Sequence, residues 1–75
     1  MNMYKVWREW GDSDDAITVE ACSVQNAAER FVNMLVSPDE YYNAPFTIFV
    51  NDGDALFSVA VYVDIKLRAV KPVAL

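Results

Sequence analysis

The sequence predicts an α+β fold of element order ββαββ: a four-stranded antiparallel sheet with one helix packed on one face. Three observations carry that prediction. Two pairs of segments alternate polar and apolar residues at period two, a single segment between them repeats at helical spacing, and Asn51-Asp-Gly-Asp54 separates the second pair as a turn. The 75 residues suffice for one small domain, 1–75, with residues 66–75 read as a C-terminal tail.

The first strand is expected over residues 4–10, where Tyr4, Val6 and Trp10 share one side and Lys5, Trp7 and Glu9 the other. Aromatic and β-branched residues favour the pleated conformation. Gly11, Asp12, Ser13, Asp14 and Asp15 form a dense turn signal, after which residues 16–22 alternate again with Ile17, Val19 and Ala21 on one face. These two runs make a first hairpin whose register stays open by two residues.

Ser23 is placed to cap a helix, its hydroxyl accepting from a free amide of the first turn. Val24, Ala27, Ala28, Phe31, Val32 and Leu35 then form one apolar stripe, with Gln25, Asn26, Glu29, Arg30 and Asn33 opposite. The helix is expected over residues 24–36, and Pro38 ends it because the residue before a proline is driven out of helical geometry. Residues 37–45 read as an ordered loop, since Tyr41 and Tyr42 give it surface to pack.

The second hairpin is the clearest element. With Asp52-Gly53 as a two-residue turn, Val50 faces Ala55, Ile48 faces Phe57 and Phe46 faces Val59 on one side of the sheet. Phe49 then faces Leu56, and Thr47 faces Ser58, on the other. The last strand is expected to reach residue 65 or 70 before a basic tail that Pro72 interrupts.

Composition excludes several kinds of chemistry. Without His there is no imidazole base, no Ser-His or Cys-His pair and no His-rich metal site. The Asp12-Ser-Asp-Asp15 run fails as a calcium loop, because Ile17 and Ser23 stand where the glycine and the bidentate glutamate belong. Cys22 reads as a small hydrophobe. Asp39 and Glu40 lie in a loop with no phosphate cradle, so no catalytic, cofactor-binding or metal-binding residue is expected and the chain reads as a non-enzyme without cofactors. Eleven acids against six bases, a net charge of -5, disfavour direct contact with nucleic acid. No basic-then-apolar leader opens the chain, and no apolar run approaches the roughly 20 residues that span a bilayer. An unpaired cysteine then fits a reducing compartment, and a cytoplasmic protein with no membrane contact is expected.

Two surfaces remain to carry function. One helix covers one face of a sheet, so Trp7, Phe49, Leu56 and Tyr62 are expected on the other, as a homodimer interface or a platform for a protein partner. The competing expectation is that the Tyr41–Tyr42 loop or the C-terminal tail folds over them. Following the chain up and down also gathers Asp12, Asp14, Asp15, Asp39 and Glu40 at one pole, with Asp52 and Asp54 at the other. Such a pole steers towards a partner with a basic surface, or is a set of solvated turns.

The segments Tyr4-Lys-Val-Trp-Arg-Glu9, Val19-Glu-Ala21, Ser23, Ala27-Ala-Glu-Arg-Phe31 and Phe46-Thr-Ile-Phe-Val-Asn-Asp-Gly53 resemble a loose group of small proteins from bacteria and their phages. In size and acidity the chain also resembles phage-encoded inhibitors of host defence, including anti-CRISPR proteins. That resemblance implies a binding protein that occupies a basic, nucleic-acid-binding surface of a host effector such as a CRISPR nuclease. It assigns no role to any single residue. The alternative is a structural homodimer or an antitoxin-like assembly subunit with no inhibitory target.

Overall fold

The computed structural model describes residues 2–9, 16–63 and 67–75. The expected strands appear as β1 (Asn2–Arg8), β2 (Ile17–Ala21), β3 (Phe46–Asn51) and β4 (Leu56–Val63), with helix α1 at Val24–Leu35 between the two pairs. Ser23 caps α1 as its sequence position implies: its Oγ accepts from the Asn26 amide at 3.0 Å, while Asn26 Oδ1 accepts from the Cys22 amide at 3.2 Å. Residues 38–43, expected as loop, form a 3-10 helix that Pro38 opens and Ser37 caps.

The sheet has more strands than the four expected. Two short strands follow β4, namely β5 (Leu67–Ala69) and β6 (Val73–Ala74), and both pair antiparallel with it. The sheet therefore runs β2-β1-β3-β4-β5, with β6 beside the other end of β4. The two strands occupy one edge. Val61 faces Ala69 whereas Ser58 faces Val73, so three steps along β4 are matched by four along the edge segment. The Val70 amide donates to Ala60 O and the Leu75 amide to Leu56 O, each at 2.9 Å, which keeps the pairing going on both sides of the extra residue. Such a bulge is where a sheet accommodates a proline, and Pro72 lies in it. The segment expected as a tail is an edge strand broken once by its own proline.

The second hairpin forms two residues out of the expected register. Val50 faces Phe57, Ile48 faces Val59, Phe46 faces Val61 and Asn51 faces Leu56. Phe49 consequently faces Ser58 rather than Leu56. The turn sits one residue later because the two side chains before Gly53 hold it there: Asn51 Oδ1 accepts from the Gly53 amide at 2.7 Å, and Asp52 Oδ1 accepts from the Asp54 and Ala55 amides, each at 2.8 Å. Gly53 takes φ +102° at the first central position, the conformation that a type II′ turn requires there. An even slip leaves every side chain on its expected face.

The inner face carries Tyr4, Val6, Val19, Ala21, Phe46, Ile48, Val50, Val59 and Val61, all buried, against Ala27, Ala28, Phe31 and Val32 of α1. Five strand positions at about 4.8 Å place the edges roughly 19 Å apart, whereas a helix with its side chains is about 10–12 Å across. A flat sheet would leave one edge out of reach. Here α1 contacts β2 and β5 as well as the strands between them, so the sheet curls around the helix. Two helix side chains finish the closure on the backbone. Arg30 Nη1 donates to the Glu20 carbonyl of β2 at 3.2 Å, and Glu29 Oε2 accepts from the Ala69 amide of β5 at 2.9 Å. Leu35, expected within the apolar stripe, is half exposed, and it is Val36, in extended conformation at the helix end, that enters the core.

Two outcomes follow from these contacts. Glu29→Ala leaves the part-buried Ala69 amide without its acceptor and is expected to cost about 1–2 kcal/mol, or about 5–15 °C in melting temperature for a domain of this size; Glu29→Gln, which keeps an acceptor oxygen, recovers most of that loss. The Ala55 and Asp54 amides that donate to Asp52 hold its carboxyl below the usual carboxylate range. A lowered folded-state pKa means that the contribution is present above the unfolded value near 4 and is lost as pH falls through the folded value. Melting curves from pH 5 to pH 2 should therefore show the parent chain losing more stability than Asp52→Asn; equal losses would remove Asp52 from this linkage.

Candidate functional site

The alternation that buries one side of each strand delivers a second apolar set to the other. Register places Trp7, Phe49, Ser58 and Val73 in one row across β1, β3, β4 and β6 on the face opposite α1. The Trp7 and Phe49 rings meet at 5.8 Å between centroids with a 37° tilt, a directly opposed cross-strand pair. Leu56 lies one row away, beside Leu75 through the bond from the Leu75 amide to Leu56 O. Val73 and Leu75 are among the most exposed apolar residues of the described chain, whereas Trp7, Phe49 and Leu56 are half-buried by one another and their neighbours.

Of the four residues expected on this face, Trp7, Phe49 and Leu56 share one patch. Tyr62 is on the same face but four residues beyond Ser58 along β4, about 13 Å at the rise of a strand. It forms its own feature: the Arg68 guanidinium lies over its ring at 5.0 Å. Val73 and Leu75 belong to the patch and were missed because residues 66–75 read as a tail. The signal was there in the apolar residues at 73 and 75, spaced by two beside a neighbouring strand. The tail thus widens the face at its edge, and Tyr41 packs against the core on the helix side while Tyr42 is 83% exposed.

The acidic pole is described only in part, because Asp12, Asp14 and Asp15 lie outside the described residues, as does Trp10. Asp39 and Glu40 sit in the first turn of the 3-10 helix, where carboxylates favour the helix dipole. The Arg8–Glu40 ion pair at 3.6 Å brings that helix to the end of β1. That is the end from which the chain leaves for residues 10–15. Arg8 also stacks over Phe46 at 5.7 Å, so the charge of Glu40 is partly offset at the surface.

Cys22 is exposed rather than packed, a correction to its reading as a small structural hydrophobe. The capping arrangement at the start of α1 explains it: the Cys22 amide is tied to Asn26 at the point where the chain leaves the sheet. Among the described residues no three Cys, Asp or Glu side chains converge on a metal site, and no helix is long and apolar enough to cross a membrane. No protein-family model, curated protein or solved structure matches the chain. The case for a function accordingly rests on its own surfaces.

If Trp7 and Phe49 serve a surface rather than the core, truncating them should cost little in folding. Trp7→Ala and Phe49→Ala are each expected to lose about 1 kcal/mol, the scale of a cross-strand aromatic pair, against about 2–5 kcal/mol for Ile48→Ala in the core. Urea unfolding compares the three directly.

Proposed function

We propose that the chain is a non-enzymatic protein-binding module that docks a partner through the outer sheet face, with Trp7, Phe49, Leu56, Val73 and Leu75 as its contact patch. The observation that carries this reading is the Trp7–Phe49 pair, set amid further apolar residues on the face away from α1. Aromatic anchors of this kind are enriched at the centres of protein interfaces. The net charge of -5 favours a partner with a basic surface, and Asp39 and Glu40, with Asp12, Asp14 and Asp15, supply the acidic end. Tyr62 under Arg68 forms a separate contact at the margin of the same face.

A small acidic chain of this character fits an inhibitor of phage or prophage origin that acts in the cytoplasm on a nucleic-acid-binding host protein such as a CRISPR effector. Its mode is occupation of a basic surface, which needs no catalytic group, metal or cofactor. A structural homodimer through the same face is the second reading, favoured by the continuous apolar row from Trp7 to Val73.

The test is plasmid protection in cells that carry a panel of targeting CRISPR effectors. Inhibition predicts that the parent chain preserves a targeted plasmid with at least one effector and that Phe49→Asp abolishes protection while its circular dichroism and melting stay near those of the parent chain. Protection that persists in Phe49→Asp would remove the outer face from the function. Absence of protection across the panel, with a concentration-dependent dimer lost in Phe49→Asp, would favour the structural homodimer.

A further inference from the structure

The two edges of the sheet are treated differently. On the β5–β6 edge the pairing is broken by the Pro72 bulge, and the outward Ala69 amide is taken by Glu29. These are devices that block the addition of another strand. The β2 edge has neither proline nor bulge. Its outward groups follow from the ladder: the Glu9 amide donates to Thr47 O, so the odd residues of β1 point to β3 and the even ones to β2. Tyr4 therefore bonds Val19, and it is Thr18 and Glu20 whose amides and carbonyls point away from the sheet. Of these four groups only the Glu20 carbonyl is engaged among the described residues, by Arg30, and a carbonyl has a second lone pair to offer.

We propose that β2 is the site at which a second copy of this chain adds to the sheet, antiparallel about a twofold axis at Val19. The register is chosen by chemistry. In an antiparallel pair the outward residues must face one another, and placing Val19 opposite its own copy sets Thr18 opposite Glu20 twice. No like charges then meet directly, whereas a shift that sets Glu20 against Glu20 opposes two carboxylates. The inner-face residues Ile17, Val19 and Ala21 meet their counterparts, which continues the apolar layer across the axis. A second observation points the same way: Arg30 reaches β2, so its flank of α1 borders that edge, and Met34, one turn further on the same flank, is 57% exposed. The dimer gives each Met34 flank a neighbouring helix and doubles the outer face without covering it.

The experiment is sedimentation equilibrium of the whole chain over a concentration series at 0.15 M and 0.5 M salt. It reads an association from the 8.5 kDa monomer to twice that mass, stronger at high salt because both copies carry -5. Thr18 is exposed, so its charge variants keep the fold. Thr18→Glu sets carboxylates opposite Glu20 and is expected to raise the dimer dissociation constant about three- to tenfold, while Thr18→Lys lowers it by a similar factor. The same two charges at Ala74, exposed on the far edge and outside the outer patch, control for net charge and are each expected to change the constant by no more than about twofold. A chain that stays monomeric at every concentration overturns the proposal. So does a dimer that responds to Trp7→Ala but not to the charges at Thr18, which would place the contact on the outer face.

Discussion

One helix must serve a sheet wider than itself, and the rest of the architecture follows from that. The inner face spans five strand positions, yet among the described residues the only α-helix is α1 at Val24–Leu35. The solution is curvature: the sheet bends until both edge strands touch α1, and Arg30 and Glu29 then bond the backbone of β2 and β5 respectively. These two residues are neighbours in sequence and sit on the polar side of the helix, so they reach in opposite directions. Polar helix positions thereby close the sheet edges, and the core they enclose contains no buried polar or charged residue among those described.

The same constraint leaves the opposite face open. Among the described residues, segment 67–75 runs along the sheet edge and Tyr41 packs on the core, so neither lies across Trp7, Phe49 and Leu56. Part of the 55% of the chain that is hydrophobic therefore appears as a surface, with the cross-strand Trp7–Phe49 pair within it and Val73 and Leu75 at its edge. The binding role proposed for the chain rests on what that face and the sheet edges can attract. The acidic balance sets the sign of the attraction and its sensitivity to salt.

Much of this was legible in the sequence, and the misses have physical causes. Period-two alternation placed β1 to β4 and their faces, helical spacing placed α1, and Ser23 placed its start. The hairpin register slipped by two because Asp52-Gly53 has the composition of a favoured turn, while Asn51 and Asp52 side chains stabilise one centred a residue later; no strand pattern distinguishes the two, since both keep the faces. β5 and β6 were missed because three-residue and two-residue strands, split by Lys71 and Pro72, give no run long enough to show alternation. The outer patch was half legible: Trp7, Phe49 and Leu56 came from alternation, while Val73 and Leu75 required knowing that the tail pairs with β4. Glu29 and Arg30 looked like solvated helix positions, and only the width of the sheet gives them their tasks.

That α1 reaches both edges of the sheet, taking up the outward Ala69 amide on β5 while leaving the outward amides of β2 available, is tested most directly by amide hydrogen exchange on dilute protein. Ala69 and Thr18 both point their amides off the edge of the sheet. The account predicts strong protection at Ala69, bonded to Glu29, and rapid exchange at Thr18. Equal, rapid exchange at both positions would contradict it.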